Sequence, residues 1–194
     1  VQVTVAGNVV ANTTRATIRN QDIPDENENV VGSIASYVDA GGDVSLLAKD
    51  ISSIDSLSFG VSGSGGVAVG VAMAANVVAN TIEASVAGSP DYPSGWTTLD
   101  TDGALIVSAE SSAVIRSLGV GVSGSGTVAV QVTAMGNAIS NEVTATIRNS
   151  DITTVGNVNI SAKDIAPSII PSWIVVPQVE INPTQSGVVD TGTN

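Results

Sequence analysis

Along most of this chain, apolar side chains alternate with small or polar ones at a period of two. Val67, Val69 and Val71 are separated by Ala68 and Gly70, and Val128, Val130 and Val132 by Ala129 and Gln131. Val1, Val3 and Val5 follow the same rule, and Leu118, Val120 and Val122 alternate with Gly119 and Gly121. Successive side chains of an extended chain point to opposite faces, so the pattern predicts strands with one buried face. Ala72 to Ala84 is rich enough in Ala to allow a helix. Its β-branched residues, and Gly136 at the equivalent place further on, favour strand. Ser62-Gly-Ser-Gly65 and Ser123-Gly-Ser-Gly126 read as turns between strands.

The pattern itself repeats. Laying Val67-Ala-Val-Gly-Val71 over Val128-Ala-Val-Gln-Val132 gives an offset of 61 residues, which also puts Asn76 on Asn137 and Asn80 on Asn141. The N-terminal stretch is a third copy at an offset of 68, with Asn8 on Asn76 and Asn12 on Asn80. Ala16-Thr-Ile-Arg-Asn20 recurs verbatim as Ala145-Thr-Ile-Arg-Asn149. We divide the chain into repeats at residues 1–66, 67–127 and 128–166, followed by a Pro-rich, non-repeating tail at 167–194 that reads as a cap or linker. One connection varies between copies. It spans 26 positions from Ile18 to Val44, 19 from Val86 to Leu105 and 11 from Ile147 to Val158. In repeat arrays such insertions map to loops on one face, which is often the binding face.

Short strands of small residues repeating at this spacing predict an all-β parallel β-helix, or β-solenoid, in which each Ser-Gly turn is a corner and strands pair with the next coil. The alternative is an array of antiparallel hairpins or sandwich repeats, with each Ser-Gly turn joining paired strands. The recurring positions Asn8, Asn76, Asn137 and Asn12, Asn80, Asn141 allow two roles. Stacked amides can satisfy one another in a ladder along the array, or each Asn can shape a turn.

Composition narrows the function. Six basic and 18 acidic residues give a net charge of −12, which disfavours nucleic acid and anionic membrane surfaces as partners. The absence of Cys and His removes disulfides, thiol chemistry, the commonest general base and the commonest transition-metal ligand. Aromatic residues are 3% of the chain, so the core must be built from Val, Ile, Leu and Ala. Phe59 to Ile82 carries no charge, but Asn76, Asn80 and the Ser-Gly run argue against a membrane span. The chain starts at Val1, inside the pattern, and reads as an excised or processed piece of a longer array whose partners include further repeats of the same parent.

No singular catalytic constellation stands out. Arg19 and Arg148 are repeat equivalents, Lys49, Glu110 and Lys163 share one repeat position, and Arg15 and Arg116 are left over. Residues set by the repeat read as solvent-face choices, so the chain is read as not an enzyme. Calcium is the better chemical expectation, because it takes several oxygens from loop carboxylates. Its candidate ligands are Asp100 and Asp102, in Asp100-Thr-Asp102-Gly103, and Asp22, Asp25, Glu26 and Glu28 in the first insertion. The plainer reading of both clusters is a solvated acidic loop. Tyr92 and Trp96 share a polar loop and are candidates for stacking on a sugar ring, though aromatic residues also pack down on a flank. The Gly-Ser runs lack a following Gly-Lys-Ser/Thr and are turns rather than phosphate loops.

Val128-Ala-Val-Gln-Val132, Asn137, Asn141, Ala145-Thr-Ile147 and Gly156-Asn-Val-Asn-Ile-Ser-Ala162 together resemble repeats of giant filamentous haemagglutinin-like bacterial surface proteins. Gly42-Asp-Val-Ser-Leu-Leu-Ala48 is similar to the Gly-Asp-Val-x-Val-x-Ala strand of that family. The resemblance covers residues 1–166 and stops at the tail. It implies a right-handed β-helix, secretion to the cell surface and a role in adhesion or as a surface fibre. It carries over no functional residue, because the shared positions are structural. The expectation is therefore an extracellular spacer with variable loops for surface or glycan contact. The competing expectation is a β-helix domain that binds or cleaves polysaccharide.

Overall fold

The computed structural model describes residues 1–92 and 95–167, and the expectation for the tail from residue 168 onward lies outside them. Among the described residues the chain is all-β, in fourteen strands. The first repeat supplies β1 (Gln2–Val10), β2 (Thr13–Arg19), β3 (Gln21–Pro24), β4 (Val30–Ile34), β5 (Tyr37–Ala40) and β6 (Val44–Ser64). The second supplies β7 (Val67–Val78), β8 (Thr81–Ala87), β9 (Thr97–Thr101) and β10 (Leu105–Ser125). The third supplies β11 (Val128–Ile139), β12 (Glu142–Arg148), β13 (Ser150–Thr154) and β14 (Val158–Ile165). The Ala-rich stretch is thus strand, as its β-branched residues predicted.

These strands form four three-stranded sheets, β1-β7-β11, β2-β8-β12, β5-β9-β13 and β6-β10-β14, all with parallel pairing. Each repeat visits the four sheets in the same order and adds one strand to each. Pairing follows the sequence repeat. Asn8 lies beside Asn76 and Asn76 beside Asn137, while Leu57 lies beside Leu118. The strands flanking Ser62-Gly-Ser-Gly65, β6 and β7, belong to different sheets, so the antiparallel-hairpin reading of this turn is overturned. The antiparallel pair among the described residues is β3–β4, a hairpin inside the first insertion.

The interior has two parts. In one, Leu46, Ala48, Ile82, Val86, Leu99, Leu105 and Val107 close a buried aliphatic core between β6, β10, β8 and β9. In the other, residues 56–64 of β6 face residues 68–76 of β7, and the alternation is kept but turned over. The residues pointing inward are Ser58, Gly60, Ser62, Ala68, Gly70 and Ala72, all buried. Leu57 is 67% exposed, Phe59 57% and Val61 49%, and Val67 on the opposite strand is 60% exposed. Val1, Val3 and Val5, Leu118, Val120 and Val122, and Val128, Val130 and Val132 are likewise exposed. The period was correctly readable; the apolar face is not the buried one here.

Sheet separation explains the inversion. β6 ends at Ser64 and β7 begins at Val67, so only Gly65 and Gly66 link two strands that then run back over each other. A Cβ on Gly60 would sit 3.1 Å from the Ala72 Cβ, and one on Gly70 would sit 2.8 Å from the Ser62 hydroxyl and overlap the Gln131 side chain. A gap this narrow excludes Val, Leu and Phe, so they take the outer faces.

Candidate functional site

Of the recurring Asn residues, Asn76 and Asn80 of the middle repeat are buried, Asn141 is half-buried, and Asn8, Asn12 and Asn137 are exposed; together they divide between the two roles their spacing allowed. Asn8 Nδ2 donates to Asn76 Oδ1 at 2.8 Å, and Asn76 Nδ2 donates to Asn137 Oδ1 at 3.0 Å, which is an amide ladder. Ser117 Oγ joins it, accepting from Asn76 Nδ2 and donating to Asn137 Oδ1. In the other column each side-chain carbonyl accepts the backbone N–H of the preceding repeat's Asn, from Asn12 to Asn80 at 2.9 Å and from Asn80 to Asn141 at 3.2 Å. These residues lie in the two-residue links after β1, β7 and β11, so this column stacks and shapes a corner at once. Their amide groups turn inward. Asn80 Nδ2 donates to Asp50 Oδ1 at 2.8 Å and Ser52 Oγ at 2.9 Å, and Asn12 Nδ2 donates to Asp50 Oδ2 at 3.2 Å. Asp50, 8% exposed, is thereby hydrogen-bonded on both oxygens, as a buried carboxylate must be.

Parallel pairing also gives the leftover cations partners. Arg15 lies beside Glu83 and forms an ion pair at 3.2 Å, and Arg116 does the same with Asp55 at 2.6 Å. Lys49 meets Glu110 at 2.7 Å. The Arg116 hydrogen bond lowers the Asp55 carboxyl below its ordinary range and raises the Arg116 guanidinium.

Arg19 and Arg148 form no ion pair with a described carboxylate. They end β2 and β12 on either side of Ala87, the last residue of β8. Two strand spacings separate them, roughly 10 Å. The small Ala87 side chain leaves between them a cleft of about 370 Å³, walled by Arg15, Thr17, Glu83 and Ser85. A second hollow of about 310 Å³ shares Arg19, Ala87 and Arg148 and continues past Gly88, Asn20, Asp22, Pro90 and Asn149. Asn149 holds a left-handed backbone (φ 49°), which Asn tolerates, and its Nδ2 donates to the Gly88 carbonyl at 3.4 Å. Gly88 is wedged between the Asn149 carbonyl and the Trp96 Cα, where a Cβ would not fit.

The insertions meet beside this cleft. Tyr92 OH donates to the Val30 carbonyl of the first insertion at 3.0 Å, which ties its ring down, whereas Trp96 is 43% exposed. Asn20 Nδ2 donates to Asp22 and Ser33. Asp25 Oδ1 accepts the backbone N–H groups of Asn27 and Asn29 at 2.8 and 2.9 Å, closing the β3–β4 loop. Those bonds, with the Asn29 side chain, lower its pKa. Glu26 and Glu28 are exposed in the same loop, Glu28 with a φ of 63°. Asp100 is on β9 beside Asp39, and its Oδ2 accepts from Tyr37 OH at 3.3 Å. The charges of Asp39, then Asp100, push the Tyr37 phenol up. Asp102 follows β9, its N–H donating to the Ala40 carbonyl at 2.9 Å. The structure thus leaves Asp22, Asp25, Glu26 and Glu28 in one insertion and Asp100 and Asp102 at another place. Among the described residues no three acidic side chains gather in a metal-holding group, and no helix is long and apolar enough to cross a membrane.

Compared with known protein families, curated proteins and solved structures, the chain matches none. Sequence reasoning passed over Arg19 and Arg148 as solvent-face choices. The signal that finds them is the verbatim Ala-Thr-Ile-Arg-Asn at 16–20 and 145–149, once the first and third repeats are placed on both sides of the second.

Proposed function

We propose that the chain is a structural and adhesive segment of a cell-surface repeat protein, built as a right-handed parallel β-helix. In this reading the stacked sheets are a spacer, and the Arg19–Arg148 cleft with its neighbouring loops is the contact surface for an acidic glycan. The observation that carries the contact surface is the cleft itself. Two guanidinium groups without described acidic partners flank an Ala floor, in a chain of net charge −12. Guanidinium groups bind carboxylates and sulfates through paired N–H donors. Thr17 supplies a hydroxyl for a sugar oxygen, and Trp96, whose Cα lies beside Gly88, is an exposed aromatic residue near the cleft. The repeat order of the four three-stranded sheets, whose strands each pair in parallel with their repeat equivalents, supports the spacer role.

The test is titration of a uronate-containing oligosaccharide and its neutral, carboxyl-reduced counterpart into the intact chain. The acidic sugar should bind and the neutral one should bind at least tenfold more weakly. Arg19→Glu with Arg148→Glu should lose at least tenfold in affinity, and added salt should weaken the wild-type interaction. Equal binding of the two sugars, or wild-type affinity in the double variant, would remove the cleft from the reading. Release of a shortened or unsaturated sugar on prolonged incubation would favour the polysaccharide-cleaving alternative.

A further inference from the structure

We infer that the outward apolar face of β6 and β10 is a pairing surface for a second copy of this chain. Leu57, Phe59 and Val61 lie directly beside Leu118, Val120 and Val122, so six exposed apolar side chains form a tile of three rows by two strands. They face outward because the inner faces of these strands lie close against β7 and β11: a Cβ on Gly60 would crowd Ala72, and one on Gly119 or Gly121 would overlap Thr133 or Gln131. No charged side chain occurs from Ser56 to Ile82 or from Ser117 to Asn141, so the acidic charge of the chain is segregated away from this slab. With exposures between 36% and 67%, the tile presents on the order of 500 Å² of apolar surface, the upper end of what monomers display. A standard protein interface covers about 800 Å² per partner, so the tile and its rim approach what a stable dimer needs. Each further repeat of this kind would extend it by one strand.

The form of the tile selects its occupant. It is a parallel sheet surface with regular rows, which is the kind of surface that packs face to face on another sheet at about 10 Å. Its rows are graded, with Leu at one end, Phe59 and Val120 in the middle and Val at the other end. A two-fold axis along the stacking direction reverses the strands of the second copy. That operation lays Leu57 and Leu118 over Val61 and Val122 of the partner, bulky over slender, and sets Phe59 against Phe59. The same surface then serves both copies, as an isologous dimer requires. A lipid surface fits less well. The tile is rimmed by the Asp55–Arg116 pair and a Ser-Gly turn, without the Trp, Tyr and Lys that anchor proteins at headgroups, and net charge −12 is repelled by anionic lipid.

The experiment is light scattering after gel filtration of the full chain at about 50 μM, a concentration at which a Kd in the micromolar range is saturated. The wild type should run as a dimer. Phe59→Glu and Phe59→Lys should each run as monomers, because each sets like charges against each other across the axis. An equimolar mixture of the two should regain the dimer. Phe59 points to solvent, so both variants should keep the wild-type circular dichroism spectrum, and the regained dimer independently shows that they fold. A monomeric wild type, a dimer that both variants retain, or a mixture that stays monomeric would each overturn the proposal. Flotation of the wild type, but not of Phe59→Glu, with phosphatidylcholine vesicles would overturn it in favour of a membrane surface.

Discussion

The half of the molecule around Leu46, Ile82, Leu99 and Leu105 and the half between Ser56 and Ala72 obey the same two-residue alternation, yet they bury opposite faces of it. The first encloses branched aliphatic side chains with no exposed surface left on Ile82, Leu99 and Leu105. The second encloses Ser, Gly and Ala and places Leu, Phe and Val outside. It also buries the Ser58 and Ser62 hydroxyls and the Gln131 amide without a hydrogen-bond partner among the described residues, whereas the Asn80–Asp50 network is bonded throughout. The difference shows that a period of two states that faces differ, and that the distance to the opposing sheet decides which face is inside.

The largest effects should come from truncating the thick half. Leu105→Ala and Ile82→Ala should each lower unfolding free energy by about 2–5 kcal/mol, as cavities in buried cores do, while Leu57→Ala should change the monomer by less than about 0.5 kcal/mol. Urea unfolding of the three variants breaks the comparison if Leu57 costs as much as Leu105. The thin half should respond to the reverse change. Ala72→Leu, at a position with no exposed surface and Gly60 directly opposite, should destabilise by about 1–3 kcal/mol through overpacking, read from the same curves. Asn76→Ala removes the middle rung of the amide ladder and leaves Asn8, Asn137 and Ser117 short of partners. We expect a loss of about 1–3 kcal/mol, and a neutral outcome would make the ladder incidental.

The smallest effect is the acid response of the exposed carboxylates. Asp25 and Asp55 have pKa values below their ordinary 3.8, so their bonds contribute fully above that pH. Their contribution is lost as pH falls through the lower folded values. Thermal melts between pH 5 and pH 2 should show a slightly shallower acid decline in Asp55→Asn than in the wild type. An equal decline would mean that the Asp55–Arg116 pair contributes nothing measurable to stability.

Much of the architecture was legible because it rests on relations within the chain. The offsets of 61 and 68 residues that align Asn76 with Asn137 and Asn8 are the offsets at which β7 pairs with β11 and with β1, and the Ser-Gly turns stand where strands change sheet. The same offsets account for Arg15 and Arg116, whose partners Glu83 and Asp55 lie one repeat away. The buried face was not legible, because Val67 and Leu57 look like core residues until the gap behind them is measured. The arginine cleft was not legible either. Arg19 and Arg148 become neighbours only through Ala87, which belongs to a third stretch of sequence and carries no chemical signal of its own.

The in-register parallel ladders have a mechanical consequence. One 61-residue repeat lengthens the stack by a single strand spacing, about 4.8 Å. The contact between two repeats is meanwhile broad, since the β6–β10 ladder alone engages 21 residues of each strand. Tension along the stack loads those bonds side by side, so they must fail together rather than one after another. In the proposed spacer role, such a segment would act as a stiff, short tether that stretches little under load and then ruptures abruptly at one inter-repeat plane.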